Sequence, residues 1–92
     1  MAINHGVKTV TTAGTDVALA TSASARWVII QAQTDNTGVI AVGASGVDAT
    51  VATGTGVALA AGESLTIPTE DLASIYIDAT VSGDGVRYTY GF

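Results

Sequence analysis

One histidine, no cysteine and eight carboxylates are the side chains of this 92-residue sequence with the means to do chemistry. His5 sits in MAINHGVKTV with no acidic residue near it in sequence, and a hydrolytic triad or a zinc site needs partners that its surroundings do not supply. Glu70 and Asp71 are adjacent carboxylates. However, Thr69-Glu70-Asp71-Leu72 reads as one helical turn capped by Thr69, with its acids well placed at the N-terminal end, rather than as a general acid/base pair. Ser82-Gly83-Asp84-Gly85 carries oxygen ligands and glycines in the manner of a calcium loop, yet it lacks the spaced carboxylates and closing Glu of an EF-hand, so it reads as a turn. Gly54-Thr55-Gly56 and Gly43-Ala44-Ser45-Gly46 open no helix and therefore cradle no phosphate. No enzyme, metal or cofactor site is predicted.

The composition narrows the class of partner. Net charge is −5, and Lys8, Arg26 and Arg87 are the only cations, which leaves no basic stripe to follow a phosphate backbone; nucleic acid is not an expected partner. Charged residues make up 12% of the chain while hydrophobic ones make up 48%, against about 25% charged in a usual soluble domain. The surface must then be built largely of Thr, Ser, Ala and Gly, and part of it is expected to be covered by another chain, most simply a second copy. No apolar run is long enough to cross a membrane as a helix, and the N-terminus lacks the charged start and apolar stretch of a signal peptide. The expectation is a protein made in the cytoplasm that stays soluble.

The elements that would position any surface start from Ala25 to Gln33, ARWVIIQAQ. Trp27, Val28, Ile29 and Ile30 are β-branched or aromatic and predict a central strand with both faces covered. Asp35-Asn36-Thr37-Gly38 predicts a hairpin. A three-residue loop with Gly38 left-handed puts Val28, Ile30 and Ala32 on one face with Ile40 and Val42, whereas a two- or four-residue loop would mix Gln31 and Gln33 into that set. Further along, Gly62 supplies a turn, Glu63 to Ile67 alternates, and Pro68 ends that strand or lies on an edge. In Ala73 to Ala79, Ile75, Ile77 and Ala79 point inward, while Ser74, Tyr76 and Asp78 face solvent or a partner. The turn at Ser82 to Gly85 then predicts a final hairpin that places Val86, Tyr88 and Tyr90 on the face of Ile77, Ala79 and Val81.

Gly14-Thr15-Asp16-Val17-Ala18-Leu19-Ala20 returns as Gly54-Thr55-Gly56-Val57-Ala58-Leu59-Ala60, either as two similar short strands with Val17, Leu19, Val57 and Leu59 inward, or as coincidence in a chain rich in Ala, Thr, Gly and Val. Gly43 to Gly56 reads as a long surface loop, or a loop holding one weak edge strand, in which Asp48 is the only charge. At the start, Met1 to Gly6 reads as a short arm and Val7 to Thr12 as the first strand. Ile3, Val7 and Val10 either pack on the domain's own core or reach a neighbouring subunit or scaffold, and they are the candidate oligomer or capsid contacts. The predicted architecture is all-β: residues 1–12 an arm and first strand, 13–92 a single small antiparallel β-sandwich, jelly-roll-like, with almost no helix.

Trp27 to Ala32 (WVIIQA), Asn36 to Gly38 (NTG), Val42 to Val47 (VGASGV), Leu59 to Ser64 (LAAGES) and Ile75 to Tyr88 together resemble small β-rich structural proteins of tailed bacteriophages, over about Ala25 to Phe92. The resemblance implies a non-enzymatic virion protein of the head-decoration, cement or head-fibre type. It also implies a homo-oligomer, with a trimer favoured because decoration proteins commonly dock at local threefold axes, and the major capsid protein as partner. It carries over no catalytic position. Other readings are a head-fibre or tail-associated adhesion module, or a carbohydrate-binding module that stacks ligand on Trp27, Tyr76, Tyr88 or Tyr90.

Overall fold

Short β-branched runs separated by Gly, Ser, Thr and Asp each have one face to bury, and stacking in two layers buries them all. The computed structural model describes residues 2–92. It contains eight strands: β1 (Ile3–Thr9), β2 (Val17–Ala18), β3 (Trp27–Ala32), β4 (Ile40–Gly43), β5 (Val57–Leu59), β6 (Ser64–Pro68), β7 (Tyr76–Ala79) and β8 (Gly85–Gly91). They form two antiparallel four-stranded sheets, ordered β1-β8-β3-β6 and β2-β7-β4-β5. First pairs with eighth, second with seventh, third with sixth and fourth with fifth, which is the pairing of a jelly roll, a chain folded back on itself and rolled into a sandwich. The all-β sandwich expected from the sequence is thus observed, and its helix is limited to one 3₁₀ turn, Leu72–Ser74.

Between the sheets lie Val28, Ile30 and Ala32 of β3, Ile40 and Val42 of β4, Ile77 and Ala79 of β7 and Val86 of β8, closed at the ends by Val10, Leu19, Leu59, Leu72 and Ile75. Apart from Val81, predicted inward but 38% exposed, the two inward sets predicted for the hairpins share one core, with Tyr88 and Tyr90 packed half-buried against it, but neither hairpin forms. β3 and β4 lie in different sheets, as do β7 and β8. Alternation states which side of a strand faces inward. In a sandwich that side is met equally well by a strand across the core, and here the links 33–39 and 80–84 cross from one layer to the other. Gly38 is accordingly not left-handed; it is Gly83, at φ 94°, that has the conformation only glycine enters freely. Gly38 is small for a different reason, since a Cβ there would collide with the Thr80 side chain.

Other expectations are corrected by the layers. β3 is central in its sheet, but only one of its faces is covered: Ile29 is 41% exposed. The strands covered on both sides are β4 and β7, because the long loop predicted over Gly43 to Gly56 folds back and packs Val47 and Ala49 on Ala41 and Tyr76. The same loop buries Asp78, read from the alternation as solvent-facing, to 1% exposure. The helical turn starts later than predicted, at Leu72, and Asp71 rather than Thr69 caps it by accepting from the Ala73 N–H at 3.0 Å. The arm expected up to Gly6 is strand from Ile3 onward, since β1 pairs with β8 along its whole length from Ile3 to Thr9.

Two expectations hold in detail. Pro68 is the last residue of β6, itself a sheet edge. The two copies of the GTxVALA repeat run into β2 and β5, which form the opposite edges of one sheet, and each leads into a strand of the other sheet, β3 and β6, which pair with one another. Leu19 and Leu59 are buried as expected, Val17 is half-buried, and Val57 is left half-exposed at its edge.

Candidate functional site

Six of the eight carboxylates, those of Asp16, Asp48, Glu63, Asp71, Asp78 and Asp84, are engaged in holding loops. Asp78 accepts from the backbone N–H groups of Gly14 at 3.1 Å and Ala49 at 2.9 Å, tying the 10–16 and 44–56 loops to β7. Asp84 accepts from Thr37 at 3.3 Å and Gly38 at 2.8 Å, and the neighbouring Asn36 side chain exchanges two bonds with the Gly85 backbone. Asp16 accepts from Gly46, and Glu63 accepts from Ala60. Asp71 lies below the ordinary carboxylate pKa because the N–H groups of Ala73 and then Ala23 bond its charged form, with the Ser22 hydroxyl adding to them. Asp48 is lowered in the same way by the Thr50 N–H and then the Thr50 hydroxyl. Among the described residues no buried side-chain N or O lacks a partner, and no three His, Asp or Glu side chains come together as a metal cluster. Ser82-Gly83-Asp84-Gly85 is thus a link whose acid faces backbone amides, and its Ser82 hydroxyl accepts from the Ala13 N–H at 2.9 Å.

The aromatic side chains lie in three places, with Tyr88, Tyr90 and Phe92 adjacent to one another. Trp27 is on the outer side of the β1-β8-β3-β6 sheet, its ring lying where a Cβ on Gly91 would be. Tyr88 and Tyr90 are on the inner side of β8, half-buried against the core, with ring centroids 6.1 Å apart; Tyr90 and Phe92 follow at 5.8 Å. Burial, with the neighbouring Tyr90 adding to it, holds the Tyr88 phenol above its ordinary pKa. Tyr76 packs on the other sheet under the 44–56 loop. The four aromatics named from the sequence therefore do not form one stacking platform.

What the fold does assemble is the outer face of the β1-β8-β3-β6 sheet. The paired registers set three rows across it: Ile3, Gly91, Trp27 and Pro68; then His5, Thr89, Ile29 and Thr66; then Val7, Arg87, Gln31 and Ser64. No Asp or Glu stands in any of these rows, and Arg87 is their only formal charge, in a chain of net charge −5. Ile3 and Val7 are 66% and 64% exposed. With strands about 4.8 Å apart and residues about 3.4 Å apart, the face measures roughly 20 Å on a side. Of the three candidate contact residues, the structure brings Ile3 and Val7 onto this face and its β1 edge, and it places Val10 at 0% exposure in the core. Sequence reasoning missed the contribution of Ile29, Thr89 and Thr66, because joining them requires the long-range pairing of β8 with both β1 and β3. No family model matches this chain, and no significant match is found among curated proteins or solved structures.

Proposed function

We propose that this chain is a non-enzymatic structural protein of a phage virion, a decoration or cement protein that sits on the capsid as a homo-oligomer and stabilises the shell. One observation carries the reading: an acidic chain keeps a whole sheet face free of acids, weakly charged and partly apolar, while six of its eight carboxylates hold loops. Such a face suits a protein partner better than water. The jelly roll adds support by analogy, since viral capsid domains are among the proteins built on it, although the same fold also serves lectins and cupins. The resemblance of the 27–32, 36–38, 42–47, 59–64 and 75–88 segments to phage virion proteins is in line with this reading, and three copies are the assembly it implies. A carbohydrate-binding module is the second reading; Trp27 and Tyr76 stand apart, and the adjacent Tyr88 and Tyr90 are half-buried against the core, which leaves less of each ring for a ligand.

Cryo-electron microscopy of the parent particle tests the proposal. Density for this chain on the head shell, at local or strict threefold positions or between capsomers, is the expected result; density confined to the tail would replace cement with adhesion. At residue level, Ile29→Glu places an acid in the middle of the outer face without touching the core. It is expected to leave the circular dichroism spectrum unchanged and to abolish cosedimentation with undecorated heads.

A further inference from the structure

We propose that the free edge of β1 pairs antiparallel with β1 of a second copy of this chain, about a twofold axis that passes beside His5. The inference rests on the homo-oligomer in the reading above and assigns its order as two, where the resemblance implies three. The backbone supplies the first argument. Ala2 and Phe92 exchange both of their N–H···O bonds, at 2.9 and 3.0 Å. The register carries that phase along β1, so Asn4, Gly6 and Lys8 bond to β8, while Ile3, His5, Val7 and Thr9 turn their N–H and C=O groups to the open side. There the His5 N–H donates to the exposed Asn4 Oδ1 at 2.8 Å, a bond that a carbonyl of the second copy's strand replaces. An unpaired edge of this length is a template for another strand unless something blunts it. β1 has no proline and no break in its register, and its one charged side chain, Lys8, stands on the inner side.

The other edges are protected. β2 and β5 are only two and three residues long. β6 ends in Pro68, and its bonding phase, set by the Ala32 N–H on the Glu63 carbonyl and the Thr69 N–H on the Arg26 carbonyl, turns that N–H-less position toward the open side. A head-to-tail pairing of β1 with β6 of the next copy would use this guarded edge and does not close on itself at two.

The side chains of β1 complete the argument for a second copy. With His5 opposite the second copy's His5, the edge-facing residues pair odd with odd. Ile3 then meets the second copy's Val7 and Val7 meets its Ile3, so both exposed apolar side chains of each chain gain an apolar neighbour on the same face. Lys8 falls opposite Ala2, and no two formal like charges are set against each other. Two chains of net charge −5 repel, and an edge and face without acids are where they approach at least cost. The pairing joins the two outer faces into one continuous eight-stranded surface, twice the area that a single copy offers to a capsid.

Multi-angle light scattering at micromolar concentration decides the matter, with the full chain used throughout. The wild type is expected at twice the 9.1 kDa chain mass. Val7→Pro removes an N–H that β8 does not use, and is expected at the single-chain mass with the far-ultraviolet circular dichroism unchanged. Val7→Lys, which leaves the backbone intact, is expected to make the same twofold drop. A wild-type mass of one chain overturns both this inference and the homo-oligomer. A mass of three chains keeps the homo-oligomer and overturns the β1 pairing, as does a dimer that neither variant dissociates. Cosedimentation with heads, scored separately, tells failure of the capsid reading from failure of the edge.

Discussion

Asp84 and Asp71 each hold backbone amides of a neighbouring segment. Asp84 is 8% exposed and satisfies two backbone amides of the 33–39 link, at 3.3 and 2.8 Å. Replacing it with Ala leaves those donors without a partner in a half-buried setting, where each such loss costs about 1–3 kcal/mol. Asp84→Ala is therefore expected to lower stability by about that amount, read as a fall in the urea midpoint at constant slope, and Asp84→Asn, which retains one acceptor, to lose less. Asp71 yields a prediction in pH. Its folded pKa is held below the ordinary value by the amides of Ala73 and Ala23, so its contribution is present above the unfolded pKa of 3.8 and is lost as pH falls through the lower folded value. Asp71→Asn is expected to be less stable than wild type near neutrality and to show a shallower loss of stability below about pH 4. Parallel acid titrations of the two proteins would find the curves converging; curves that stay parallel would remove Asp71 from the acid limb.

Among elements, β3 carries most. It sits between β8 and β6, and its inward residues Val28, Ile30 and Ala32 are wholly buried, while its outward residues make the middle of the candidate face. Ile30→Ala is expected to cost roughly 2–5 kcal/mol, the range for deleting large aliphatic side chains where the surroundings collapse only in part. A loss under about 1 kcal/mol in chemical denaturation would show that this core position tolerates a void. Ile29, one residue away, is predicted to behave oppositely: Ile29→Thr matches its row neighbours Thr89 and Thr66 and is expected to stay within about 0.5 kcal/mol of wild type. The contrast between neighbouring isoleucines tests the face assignment directly.

At the level of the whole molecule, the jelly roll joins the ends of the chain. β1 and β8 pair from Ile3–Gly91 to Thr9–Gly85, so the longest loop closure in the protein is also one of its most extensive pairings. Folds dominated by such non-local pairing lose much chain entropy before contacts compensate for it, and they fold in milliseconds to seconds. Stopped-flow refolding followed through the single Trp27 is expected in that range. A microsecond phase carrying the full amplitude would contradict the topology. The outer surface is therefore complete only when β1 has docked on β8.

The alternation in residues 27–32, 40–42, 75–79 and 86–90 was sufficient to name the buried side chains, because the side-chain period of a strand is a local property. It identified Ile30, Ile40, Ile77 and Val86 without knowledge of any partner. Composition likewise showed that the chain is all-β and that its charges are too few to cover it. The partner of each strand was not legible. A face turned inward is satisfied equally by a neighbour in the sheet and by a strand across the core, so two local hairpins were read where the chain crosses between layers. Asp78 was misplaced for a related reason, since burial on the second face of β7 depends on a loop thirty residues away that folds over it. The candidate face itself is a product of tertiary structure alone: Ile3, Thr89, Ile29 and Thr66 are scattered along the chain, and only the docking of β8 between β1 and β3 brings them into adjacent rows.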